Sequence, residues 1–295
     1  MSPESARRIA PESATESATE TASAITPKIT VFGAGAIGCA VGARWAAAGL
    51  DVRFLGRPRL AAQAARRGLT ITDLEGRAVH LPPEAARIET DPAAALAEAD
   101  LVAVTVRGVD TAAAAAAIAA HAPPGAAMLS LQNGVENAAR LAAGAPGRPA
   151  LPGMVFFNMV EIGEAAWRQT TGGAVWAARA APTQALAAHL SGGPHALKLA
   201  DDMTPILWGK LLLNLNNAVN ALSGETLRAT LLQRRWRLRL ADAVEEGLAA
   251  LKAAGLRPAR VGALPPALLP AMLRSPDWFF AAVALRAQRI DPTAR

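Results

Sequence analysis

The chain has 295 residues, more than one small hydrophobic core accommodates, so two domains are the expectation. Hydrophobic residues make up 52% and charged residues 18%, which excludes disorder throughout, and a formal charge of +6 suits an anionic cofactor or substrate. With no tyrosine, one cysteine and four histidines, a dehydrogenase using a tyrosine acid, an intrachain disulfide and a cysteine-rich zinc site are excluded.

Residues 1–26 are rich in Ser, Thr, Glu and Ala, with the near-repeat ESATESATE. Almost no large apolar side chain interrupts them, which predicts a disordered leader. The segment lacks the apolar core of a secretory signal, and its acidity argues against a transit peptide. No stretch approaches the ~18 uncharged apolar residues of a membrane span, so a cytoplasmic protein is expected. The histidines (His80, His121, His189 and His195) lack ligand spacing, and no metal site is expected.

The segment KITVFGAGAIGCAVGARWAAAGLDVRFLGR is the most informative. Ile29, Val31 and Phe32 read as a buried parallel strand. Gly33, Gly35 and Gly38 complete G-x-G-x-x-G, helix formers continue to Ala48, and Gly49 ends them as a C-cap. A second strand over 51–55 completes a β-α-β unit, and that context turns a weak glycine motif into a strong one. Gly33 permits the tight turn, Gly35 lets backbone approach a pyrophosphate, and Gly38 lets the helix lie close on the strand. The first helical residues, Ala36 and Ile37, then direct N–H groups at the phosphates. Cys39 sits within this helix and is expected to be packed rather than reactive.

The end of the second strand selects the cofactor. NAD-binding units place a carboxylate there to accept from the ribose 2′-hydroxyl. Here stands Gly56-Arg57-Pro58-Arg59, and a guanidinium pairs with a 2′-phosphate in fork geometry. NADPH is therefore the expected cofactor, with Arg57 the leading partner and Arg59 in reserve.

Residues 68–90 read as a hairpin turning at Glu75-Gly76, and Asp91-Pro92 opens a helix over 92–99. A strand over 101–106, an alanine helix over 111–120 and a strand over 127–131 follow. This alternation predicts a doubly wound parallel sheet. In such sheets chemistry gathers beyond the carboxyl ends of the strands, where Arg107, Gln132, Asn133 and Gly134 stand. Taken alone, Asn133 reads equally well as a turn residue before Gly134.

Residues 202–222 read as one long helix carrying a lysine and several asparagines among leucines. At 100° per residue, Asn214 lies about 40° from Lys210 and Asn217 about 20° to its other side, so the three share a face. Asparagine is a poor helix former. The cluster reads either as a polar helix–helix interface or as a lysine acid among amide groups in a cleft. A basic helix around 228–254 carries Arg234, Arg235, Arg237 and Arg239 between leucines, which predicts a solvated face with snorkelling arginines and no nucleic-acid motif. A Pro-rich connection over 258–270 precedes a closing helix over 277–290, with Trp278, Phe279 and Phe280 expected in the core.

Together GAGAIG, the Gly-Arg after the second strand, SLQNG and WGKLLLNLNN resemble the ketopantoate reductase (2-dehydropantoate 2-reductase) family, from Lys28 to the end of the chain. The resemblance implies a Rossmann-type α/β domain over 27–198 and an all-helical domain over 199–295, a 6-phosphogluconate-dehydrogenase-like arrangement with substrate between them. It implies NADPH-dependent reduction of 2-dehydropantoate to pantoate, for pantothenate biosynthesis. Lys210 matches the family's catalytic lysine, Asn133 an asparagine near nicotinamide and substrate, and Asn214 a substrate-binding asparagine.

Arg107, expected at the cofactor, replaces a lysine common in the family. Ala218 stands where members commonly have a further asparagine, and Asn217 is expected to take its place at the substrate. Members also continue beyond the equivalent of RIDPTAR into a segment with a substrate-binding serine and a glutamate that works with the lysine, so a C-terminal truncation is expected. Two alternatives follow: a reductase of another branched 2-oxo acid, or an NADPH-binding protein with little or no turnover. The expected partners are a small 2-oxo acid and, covering apolar surface left by the missing helix, a second subunit of a homodimer. Neither nucleic acid nor membrane is expected.

Overall fold

The computed structural model describes residues 26–191, 193, 195–260 and 264–287. The expected leader lies, but for Thr26, outside the described residues, and so does the terminal stretch 288–295. In chain order the α/β part comprises β1 (Lys28–Phe32), α1 (Ala36–Ala47), β2 (Asp51–Leu55), α2 (Pro58–Arg67), β3 (Leu69–Thr72), β4 (Ala78–Leu81), β5 (Ile88–Glu89) and α3 (Pro92–Leu96). It continues through β6 (Leu101–Val104), α4 (Thr111–His121), β7 (Ala127–Ser130), α5 (Asn137–Gly144), β8 (Ala150–Val155), β9 (Met159–Gly163) and β10 (Ala166–Gln169). It ends with β11 (Val175–Ala178), α6 (Ala181–His189) and β12 (Leu197–Ala200).

Eight strands form the main sheet in the order β12-β11-β8-β7-β6-β1-β2-β5. Pairings from β8 to β5 are parallel, as the alternating pattern predicts, while β11 runs antiparallel to β8. Strand alternation sends side chains to two cores. Ile29, Val31, Leu101, Ala103 and Leu129 face α1 and α6, whereas Phe32, Val102, Val104 and Met128 face α3, α4 and α5. Local signals operate as read: Asp91 caps α3 by accepting from the Ala93 N–H at 3.1 Å, and Gly49 leaves α1 at φ +92°. Cys39 is fully buried, and burial pushes its thiol far above the usual range. The expected hairpin is the β3–β4 pair, and it belongs to a separate four-stranded sheet, β4-β3-β10-β9, laid over α1.

The helical part comprises α7 (Thr204–Asn214), α8 (Asn216–Ser223), α9 (Leu227–Leu232), α10 (Arg234–Ala253), α11 (Leu269–Arg274) and α12 (Asp277–Ala287). The main sheet runs to Ala200, two residues past the expected boundary. The single helix expected over 202–222 is divided at Leu215, whose N–H is shared between the carbonyls of Leu211 and Leu212. The helix expected over 228–254 is divided at Gln233, which is extended at ψ 114°.

Two side-chain expectations are corrected. Arg237 is not on a solvated face but 1% exposed, because the ends of α9 and α11 present it with carbonyls. Of the three aromatics of α12 only Phe280 is core, at 3% exposure; Trp278 and Phe279 stack edge to face on the surface. Helix α7 docks on the sheet end through Met154, Met203 and Leu207, with Val135, Phe156 and Trp176 around them. That apolar contact brings the lysine helix to the carboxyl ends of β7 and β8.

Candidate active site

The glycine loop between β1 and α1 has the geometry its sequence demands. Gly33 turns at φ +105°, and a Cβ there would lie 2.7 Å from the Val106 side chain. Thr105 Oγ1 donates to the Gly33 carbonyl at 2.7 Å, closing the turn against β6. At Gly38 a Cβ would lie 2.5 Å from the Gly33 carbonyl oxygen, so only glycine lets α1 sit this close. Gly35 is the opposite case: no atom lies within 4 Å of its Cβ direction. It is also the N-cap of α1, with no side-chain cap and no acidic residue in the first turn. The open side of Gly35 and the uncapped start of α1 at Ala36 and Ile37 fit an anionic pyrophosphate.

Arg57 is the N-cap of α2, exposed, and its guanidinium makes no hydrogen bond or ion pair among the described residues. Arg59 is held by Glu161 at 3.3 Å. Of the two guanidiniums, the one next to Gly56 is thus free for a ligand. Arg107 is exposed after β6 and reaches Asp110 at 3.4 Å.

Behind the loop that follows β7 runs a chain of neutral hydrogen bonds the sequence reading did not anticipate. Ser130 Oγ donates to Gln132 Oε1 at 3.1 Å, and Gln132 Nε2 donates to the Val106 carbonyl at 3.1 Å and to Thr111 Oγ1 at 2.8 Å. Thr111 donates to Asn137 Oδ1 at 3.3 Å, and Asn137 Nδ2 donates to the Asn133 carbonyl at 2.8 Å. Gln132, Thr111 and Asn137 are buried, so the network fixes the backbone that presents exposed Asn133.

Across the cleft, Asn214 Nδ2 donates to Asn133 Oδ1 at 3.2 Å. Residues 81 apart in sequence, from two separate motifs, are thereby joined. Lys210 lies one turn before Asn214 on α7 and is buried at 9% exposure. Its ammonium makes no hydrogen bond or ion pair among the described residues, and Nζ stands 5.5 Å from the ring centroid of Phe156. Burial alone pushes the ammonium below the usual lysine range. Asn217 lies beyond the division at Leu215, exposed and without a hydrogen bond among the described residues, so it is not brought into this group.

Phe156 is the site neighbour the sequence reading missed. It follows β8 as Asn133 follows β7, but Pro152-Gly153 interrupts the apolar run that would have marked the strand. A cavity of about 760 Å³ between α10 and α11, lined by Leu248, Lys252, Arg257, Pro270 and Arg274 among others, contains none of the motif residues. Among the described residues no helix is long and apolar enough to cross a membrane, and no cluster of histidine, cysteine or carboxylates is placed to hold a metal.

Known proteins share the fold and the family features of this chain. A 2-dehydropantoate 2-reductase of Halobacterium salinarum is 32% identical over 203 residues, 66% of this chain and 65% of that protein's length. The crystal structure of a PanE/ApbA family ketopantoate reductase from Ralstonia eutropha superposes with a TM-score of 0.69 at 26% identity, over 84% of this chain and 79% of that one. The 2-dehydropantoate 2-reductase of Geobacter metallireducens gives 0.71 at 25% identity, over 87% and 83%. Residues 29–182 match the family described as ketopantoate reductase PanE/ApbA, and the chain belongs to that family.

Proposed function

We propose that the protein is an NADPH-dependent reductase that converts 2-dehydropantoate to pantoate, the acid consumed in pantothenate synthesis. The observation that carries this reading is the juxtaposition of Lys210, buried and unpartnered, with the Asn133–Asn214 pair at the sheet end that also presents the open glycine loop. Gly33, Gly35, Gly38 and the first N–H groups of α1 would hold the pyrophosphate, and Arg57 the 2′-phosphate, with Arg107 beside the crevice. When bound, the reduced nicotinamide supplies the hydride for the keto carbon.

The remaining steps belong to the chain. Asn133 and Asn214 offer amide N–H and C=O groups that orient a 2-oxo acid. Lys210 Nζ–H donates to the keto oxygen, stabilises negative charge as it develops there, and transfers its proton to form the hydroxyl. Burial favours that transfer, because it makes the ammonium a stronger acid than a solvated lysine. Phe156, Val135 and Trp176 keep water from the apolar side of the helix.

The test is NADPH oxidation, followed by absorbance, with 2-dehydropantoate and a panel of other 2-oxo acids. Turnover with 2-dehydropantoate at the highest kcat/KM supports the reading. Turnover only with a different branched 2-oxo acid would replace the substrate, and cofactor binding without any turnover would overturn the activity.

A further inference from the structure

We propose that Phe156 is a positioning residue for Lys210: its ring face holds the buried ammonium at the cleft. The proposal deepens the reading of Lys210 as proton donor and rests on it. A buried cation needs electrostatic compensation. Among the described residues the Lys210 ammonium makes no hydrogen bond or ion pair, and the Phe156 ring stands 5.5 Å from Nζ. Cation–ring attraction strengthens with desolvation, and here the ammonium is buried and the Phe156 ring partly buried. Asn133 and Asn214 are neutral. No charged or titratable side chain from α8, α10 or the β8–β9 connection acts on the ammonium, whose proton affinity is lowered by burial alone.

The backbone that carries the ring is held in place. The Phe156 N–H donates to the Ala174 carbonyl at 3.1 Å, and Gly173 passes so close that a Cβ there would lie 2.6 Å from Phe156 backbone atoms. Phe157, the next residue, is buried and lies beneath the Arg44 guanidinium of α1, 4.9 Å from it. Arg44, itself only 5% exposed, donates to Gln169 Oε1 at 2.6 Å. Successive side chains of an extended segment point to opposite sides. Locking Phe157 under Arg44 therefore turns Phe156 toward the lysine helix. One Phe-Phe pair carries two cations, a structural arginine on the α1 side and the site lysine on the cleft side.

The experiment uses the full chain with its lysines reductively methylated with 13C-labelled formaldehyde. The sequence has lysines only at 28, 198, 210 and 252, so single Lys→Arg variants assign the resonances. Phe156→Leu is expected to lower the titration midpoint of Lys210 by about half a unit to one and a half units. The alkaline limb of kcat in the unmodified enzyme should move by the same amount, with KM for the 2-oxo acid little changed. Phe156→Trp, which keeps a ring face, is expected to hold or raise the midpoint.

An unchanged midpoint in Phe156→Leu, or an equal fall in the Leu and Trp variants, would overturn the proposal, since packing alone treats both as size changes. Failure of the underlying reading is distinguishable. If Lys210→Met retains turnover, Lys210 is not the proton donor, and the resonance shift still decides whether the ring holds the ammonium.

Discussion

Arg237 and Lys210 are both buried cations of the helical part, and their surroundings are opposite. Arg237 uses all five guanidinium N–H donors: Nε to the Leu273 carbonyl, Nη1 to those of Leu231 and Leu232, and Nη2 to the Ser275 carbonyl and Asp277 Oδ1, at 2.6 to 3.2 Å. Its plane also lies 4.4 Å from the Phe280 ring centroid. These carbonyls belong to the ends of α9 and α11, where helices leave acceptors unpaired, so one side chain ties the ends together. Lys210 has three donors and none is used among the described residues. The difference separates two uses of buried charge. A saturated guanidinium maintains a fold, while an unsaturated ammonium is left for something that arrives.

The comparison is sharpest in the response to removing each charge. Lys210→Met is expected to lower kcat by about 10³-fold or more, while the variant folds normally. Steady-state kinetics and circular dichroism check this together, and retained turnover would move Lys210 to the structural side. Arg237→Met should do the reverse. It strands several carbonyls and is expected to cost about 3 kcal/mol in urea unfolding, with kcat of the folded fraction little affected.

Arg57 extends the comparison to the surface. Arg57→Ala is expected to raise KM for NADPH about ten-fold or more while changing KM for NADH far less, and equal effects would remove it from the phosphate site. The smallest effect is on stability. Because burial lowers the proton affinity of Lys210, the unfolded chain holds that proton up to about pH 10.4 while the folded chain releases it earlier. Stability from this group therefore rises with pH across that interval, and the penalty is full below it. Lys210→Met should be more stable than the parent at pH 7, with the gain shrinking toward pH 10.4. A gain independent of pH in urea titrations would mean the ammonium is not penalised by burial.

What the sequence made legible is local. The β1–α1–β2 unit announces itself through a glycine motif in which Gly33 and Gly38 leave no room for a Cβ, and Asp91-Pro92 and Gly49 through caps formed within a few residues. Lys210 and Asn214 stand out because amides and a cation are improbable in a leucine-rich helix. The hidden features depend on distant partners. Strand β8 contains Pro152 and Gly153, and Gly153 is required by the neighbouring strands, since a Cβ there would lie 2.9 Å from both Leu129 and Trp176 atoms. The four-stranded sheet joins β3 to β10, nearly a hundred residues away, through pairing that no periodicity records. Arg237 reads as solvated in an arginine run, and only the ends of α9 and α11 reveal why it is buried. Lys210, Asn214 and Asn217 share a face by helical spacing, but Asn217 is exposed and its side chain has no hydrogen bond among the described residues, which spacing alone does not reveal.

The Asn133–Asn214 hydrogen bond has a consequence for how the two halves of the molecule meet. An amide pair carries no net charge at any pH, and counterions do not screen it as they screen an ion pair. Acidity and ionic strength therefore leave this clasp intact while they act on the ammonium one helical turn away. A 2-oxo acid that enters must exchange the amide–amide bond for bonds of its own, so the clasp selects by hydrogen-bonding shape rather than by charge. The junction is constant, and the chemistry beside it titrates.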